Sequence, residues 1–286
     1  MPLMISSSKM NKQPILFLDS GLGSLPYAYF FHTRNEHERV VCVADRGNFP
    51  YGPKSRETLR ELLDSLLKKL TSLYEPKMLV IACNTASISA IDFLREKNPD
   101  LPIIGTVPAV KPAVIASKTR KVAVIGTERT IKESVIWELA KRYGPDCEIL
   151  GTAAPELVEF VEHRLWCSTP EERFDVVNSY MGKFHSAGVD SVVLACTHFL
   201  LLKEDFVRAA AGKEMGIFDS VEGVARRVES LLDEEDGKLR SPSTGAVIAP
   251  LIVITGDGKP EPYWDHLARR FGFSFAVISD TDAVKG

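Results

Sequence analysis

The chain has 286 residues, 45% of them hydrophobic and 26% charged, a composition that excludes disorder and leaves room for one large core or two ordinary ones. A net charge of −3 provides no basic field, and no local Lys/Arg cluster makes up for it, so nucleic acid is not an expected partner. No apolar run approaches the roughly 18 to 20 residues of a membrane helix, and the opening "MPLMISSSKMNKQ" lacks the apolar core of a signal peptide; the expected setting is cytoplasmic, with no membrane contact.

Short apolar runs alternate with amphipathic stretches, the pattern of βα units and a mainly parallel sheet. The first run, "ILFLD" (15–19), delivers Asp19 and Ser20 to a turn containing Gly21 and Gly23, whose N–H groups can hold a carboxylate or a phosphate. A dinucleotide fingerprint fails there because Pro26 stands where a third glycine is needed. A phosphoacceptor aspartate would want a second acid two residues beyond Asp19, and a tight turn capped by Asp19 is the plain alternative. "VVCVA" (40–44) leads into the proline-punctuated "ADRGNFPYGPKS", which carries Asp45, Tyr51 and Gly52 and by itself reads as a surface turn. Ser55 then caps a helix to Tyr74 with leucines at 59, 62, 63, 66, 67 and 70 along one side.

"MLVIA" (78–82) ends at Cys83, Asn84 and Thr85, and "PIIG" (102–105) runs into "TVPAVKPAV", a rigid turn entering a helix. After "KVAVIG" (121–126), Thr127 and Thr130 stand where one of them serves as a helix cap. "LVEFVEHRLW" places Glu162 and His163 on a helix, where an exposed face accounts for most such residues. Thr169, Pro170 and Glu172 fit N-cap, N1 and N3 of a further helix, stopped by Gly188 ahead of "SVVLA" (191–195) and Cys196, Thr197 and His198. A helix from about Ser220 gives way to a polar surface loop, "DEEDGKLRSPSTG" (233–245), followed by a strand, "AVIAPLIVIT" (246–255), and a helix over 262–271.

The five cysteines, at 42, 83, 147, 167 and 196, form no CxxC spacing, so thiols rather than disulfides are expected. A zinc site needs about four suitably spaced ligands, and only Cys196 and His198 lie close, so no metal is expected. A lone cysteine after an aliphatic strand reads as a small buried hydrophobe. Here the design appears twice, at Cys83 and Cys196, which suggests two similar α/β halves each delivering a thiol to the carboxyl edge of a parallel sheet, where such folds place ligands. Beside helix-starting amides a thiolate is stabilised, and the group becomes a usable acid and base near neutrality. His198 reads either as a packed histidine or as a proton partner.

Taken together, "DSGLGS", "PYGPKS", "ACNTAS", "VPAVKPA", "GTERTIKES" and "ACTHFLLL" stand in the order and spacing of glutamate racemases, and the chain resembles that family from about Ile15 to the "TGD" at 255–257. The resemblance implies two pseudo-symmetric, flavodoxin/Rossmann-like three-layer α/β domains with parallel-type sheets: 12–107 plus 219–286, carrying Cys83, and 108–218, carrying Cys196. It implies interconversion of L- and D-glutamate, supplying D-glutamate for peptidoglycan, in a homodimer that uses neither pyridoxal phosphate nor metal. In that scheme Cys83 attacks D-glutamate with help from Asp19, and Cys196 attacks L-glutamate with help from Glu162 and His198. Substrate contacts carry over to Asp19, Ser20, Tyr51, Gly52, Asn84, Thr85, Thr197 and His198, with Thr130 a further candidate. The chain departs from the family at Ser24 and Ala195, where glycine is usual, and at Leu200, where proline is usual. Two other readings stay open: a racemase of another acidic amino acid such as aspartate, and a non-catalytic amino-acid-binding regulator. A redox disulfide is disfavoured, since Cα atoms within about 7 Å leave no room for substrate.

Overall fold

The computed structural model describes residues 13–237, 239–241, 248–257 and 260–278. The opening segment read for a signal peptide therefore lies, apart from its last residue, outside the described residues. Ten strands are found among them: β1 Ile15–Asp19, β2 Val40–Ala44, β3 Met78–Ile81, β4 Ile103–Gly105, β5 Lys121–Gly126, β6 Glu148–Ala153, β7 Ser191–Ala195, β8 Gly216–Phe218, β9 Leu251–Thr255 and β10 Ser274–Ile278. The chain divides into two compact units, Met1–Thr106 with Val221–Gly286, and Val107–Ser220.

The first unit holds a six-stranded sheet in the order β10-β9-β2-β1-β3-β4. Every pairing in it is parallel. Strands β1, β2 and β3 are buried at every position, which is why they read as unbroken apolar runs: a parallel strand covered on both faces has no solvent side to mark with polar residues. The helix Arg56–Tyr74 is capped as expected, with the Ser55 hydroxyl accepting from the Thr58 N–H at 3.1 Å. Its Leu59, Leu63, Leu66, Leu67 and Leu70 join Leu16, Leu18, Leu79 and Ile81 in one core cluster.

The second unit holds a four-stranded parallel sheet, β6-β5-β7-β8. The helix Pro170–Ser186 starts with the complete capping box of Thr169 and Glu172, and Gly188 follows it in the left-handed region at φ +77°. Gly126 faces Ala195 across β5 and β7, and a methyl group on Gly126 would come within 3.3 Å of the Ala195 Cβ. The larger residue at 195 is accommodated because its neighbour is glycine.

Three expectations need correction. The helix after Ser220 runs Val221–Gly237 and so takes in the first residues of the stretch read as a loop; 238 and 242–247 are outside the described residues. Strand β9 starts only after Pro250, which has no N–H to give to a ladder. Strands β6, β8 and β10 were not anticipated: they are edge strands, with polar or partly exposed positions that break the apolar run, and β8 has only three residues. Among the described residues no helix is long and apolar enough to cross a membrane.

Candidate active site

In the first unit the expected residues gather at the carboxyl edge of adjacent strands. Asp19 ends β1 with no exposure, and its Oδ1 accepts the Gly21 N–H at 2.7 Å, so the glycine turn wraps back over the carboxylate. Ser20 is buried beside it. Cys83 lies two residues beyond β3, at the N-cap of the helix Asn84–Lys97, so Asn84 and Thr85 form that helix's first turn. All three are buried. The positive end of a 14-residue helix at Cys83 favours a thiolate or a bound carboxylate.

Tyr51 is not a surface-turn residue. It is 1% exposed, sits in the same core cluster as Cys83, and donates its hydroxyl to Asp45 Oδ2 at 2.7 Å. Burial, then the Asp45 charge, pushes its phenol well above the usual range, so the group stays protonated. Gly52 follows in the same loop, which runs on to the helix cap at Ser55.

The second unit brings together Cys196, His198 and Glu162. Cys196 follows β7 by one residue, and a 3₁₀ turn over Thr197–Leu202 places His198 Nδ1 3.8 Å from its Sγ. The other ring nitrogen, Nε2, is 2.6 Å from Glu162 Oε1, and both side chains are buried. An ionised Glu162 can only accept, so Nε2 carries the hydrogen and a neutral His198 turns the lone pair of Nδ1 toward the thiol. The exposed-face reading of Glu162 is thus wrong, whereas it holds for His163, which is exposed and pairs with Glu159 at 3.4 Å. Thr197 is buried beside Cys196. The Thr130 amide and hydroxyl both engage the Thr127 hydroxyl, which caps the short helix Glu128–Lys132.

The two thiols therefore have different surroundings: an α-helix N-terminus at Cys83 and an imidazole–carboxylate pair at Cys196. The unusual Ser24 is fully buried with its Oγ 2.9 Å from Cys42 Sγ. Burial raises the Cys42 thiol to about 12 against the opposing Ser24 bond, so Cys42 is inert at neutral pH. None of the five cysteines is in a disulfide. Two residues not assigned to the site belong to its support: Asp45, which holds Tyr51, and Thr255, which bonds Asp45 at 2.6 Å. Only the presence of both in motif-like stretches hinted at them.

The family model described as Asp/Glu/Hydantoin racemase matches residues 31–228, a span that includes both cysteine strands. The chain belongs to the Asp/Glu/Hydantoin racemase family. Among its family relatives, a glutamate racemase of Sphingopyxis alaskensis is 40% identical over 253 residues, covering 87% of this chain and 91% of that protein. A glutamate racemase of Corynebacterium diphtheriae is 35% identical, with 92% and 95% covered. In structure the chain is similar to Escherichia coli glutamate racemase, solved in complex with L-glutamate and the activator UDP-MurNAc-ala, with a TM-score of 0.79, 27% identity, and 93% and 98% covered.

Proposed function

We propose that this racemase-family protein interconverts L- and D-glutamate by two cysteines and no cofactor, supplying D-glutamate for peptidoglycan. The observation that carries the reading is the duplicated thiol, one following a buried parallel strand in each unit, in a chain 40% identical to a glutamate racemase. Inversion requires two groups, because one base returning its own proton to the same face regenerates the starting enantiomer. One thiolate takes the α-proton and becomes a thiol; the other thiol gives its proton to the opposite face and becomes a thiolate. Cys83 starts from D-glutamate, with Asp19 in support, and Cys196 starts from L-glutamate, with His198 and Glu162 in support.

The α-proton is a weak acid, so the developing negative charge needs donors already in place. Ser20, Asn84, Thr85 and Thr197 fill that role, with Tyr51, Gly52 and His198 completing the substrate contacts. The same reading makes the protein a cytoplasmic homodimer.

Incubation with L-glutamate in D₂O, without added cofactor, tests it. Optical rotation falls to zero as the α-proton signal disappears, and Cys83→Ser and Cys196→Ser each slow racemisation by about 10²- to 10⁴-fold. Full activity in either variant rejects the two-thiol mechanism, and preferential turnover of aspartate rejects the substrate.

A further inference from the structure

Thr255 ends β9, next to β2, and the register Ala44↔Ile254 brings Asp45 and Thr255 side by side at the carboxyl edge of the first unit's sheet. The Thr255 hydroxyl works twice: it donates to Asp45 Oδ1 at 2.6 Å and accepts the Gly47 N–H at 3.2 Å. The other Asp45 oxygen takes the Tyr51 hydroxyl. Thr255, Asp45 and Tyr51 are 5%, 1% and 1% exposed, so water does not substitute for these bonds. The next residues reinforce the contact. Gly256, at φ +114°, lies so close that a methyl group there would be 3.4 Å from the Gly47 backbone. Glu261 pairs with Arg46 at 2.9 Å, and the Arg46 guanidinium lies 4.5 Å from the Phe49 ring centroid.

We infer that Thr255 is a positioning residue, whose hydroxyl clamps the 45–52 loop onto the C-terminal segment and thereby holds Tyr51 and Gly52 where substrate meets them. The inference rests on the proposed glutamate site for its consequence, but the clamp itself is a property of the loop. A residue that does two hydrogen-bonding jobs at one oxygen cannot be replaced by its apolar isostere, and it can be replaced by serine.

Two measurements on the full chain test this. Hydrogen exchange read by mass spectrometry over residues 46–54 needs no substrate: Thr255→Val speeds exchange there about tenfold, while Thr255→Ser keeps the wild-type rate. Glutamate binding by calorimetry gives the second readout: Thr255→Val weakens binding about tenfold and Thr255→Ser by less than about twofold. In a Tyr51→Phe background the added effect of Thr255→Val on binding is smaller than in the wild type, because the path through Asp45 to Tyr51 has already been cut while the bond to Gly47 remains. Glu261→Ala, a change at the exposed end of the clamp, speeds loop exchange in the same direction if Thr255→Val does not fold.

Unchanged loop protection in Thr255→Val overturns the clamp. Lost protection with unchanged glutamate binding, or an undiminished effect in the Tyr51→Phe background, overturns its role in the site. A wild type that does not bind glutamate overturns the proposed function instead, and the exchange measurement still decides the clamp.

Discussion

Glu162 has no exposed side-chain surface, a placement that costs several kcal/mol for an ionised carboxylate left alone. His198 at 2.6 Å offsets part of that cost, and the pair in turn aims Nδ1 at Cys196. Glu162→Gln keeps an acceptor for Nε2–H but removes the charge that stabilises a protonated imidazole. Turnover should fall at least about tenfold, with the KM for glutamate changed less than about threefold; steady-state polarimetry checks both, and unchanged turnover removes Glu162 from the mechanism. The cysteines were legible because each interrupts the polar side of a boundary that begins as a continuous apolar strand. Glu162 was not: it and His163 are neighbours on one helix, and helical periodicity does not tell which of the two is covered. The 3₁₀ turn that carries His198, 36 positions later, decides that.

At the scale of elements, Asp190 fastens the entry to β5 and β7. Its carboxylate accepts from the Ser117 hydroxyl and the Lys118 N–H at 2.6 Å, the Thr119 N–H at 2.8 Å and the Ser191 hydroxyl at 3.1 Å. Burial by itself would raise this carboxyl, but these four donors overrule it and hold it below the usual carboxylate range. A carboxyl whose folded value is depressed stabilises the fold fully above its unfolded value of about 3.9, and that contribution is lost as pH falls through the lower folded value. Asp190→Asn should therefore lower stability by about 1 to 2 kcal/mol at neutral pH, with the gap from wild type closing below about pH 4. Denaturant melts across pH 3 to 8 measure it, and a gap independent of pH refutes the assignment. Helix starts were readable where the cap is local, as at Ser55 and Thr169. The edge strands β6 and β10 were not, because an edge position relaxes the demand for apolar side chains that makes a central strand visible.

For the whole molecule, the first unit is assembled from two distant stretches of chain. Strand β9 inserts between β2 and β10, pairing Val41 with Leu251 and Ala44 with Ile254. Ending the chain after Ser220 would leave β2, buried at every position in the complete fold, as an uncovered apolar edge. Such a chain is expected to give a lower soluble yield and to bind an apolar dye more strongly than the complete chain; soluble yield and dye fluorescence report the outcome, and a monomeric truncated chain with native circular dichroism contradicts it.

Taken by itself, the sequence determined what neighbours along the chain can encode: the buried strands, the caps, the glycine turn after Asp19, and the two thiols placed at strand ends. Those features depend on side chains within a few residues of one another. Tertiary structure alone decided that Glu162 closes on His198, that Tyr51 is held by Asp45 rather than facing solvent, and that Thr255 reaches Asp45 across 210 positions. The first and last of these join residues from separate elements whose meeting is set by packing and sheet register, and the second depends on the core that closes over a loop too short of apolar pattern to show its burial; neither hydrophobic periodicity nor local propensity carries that information.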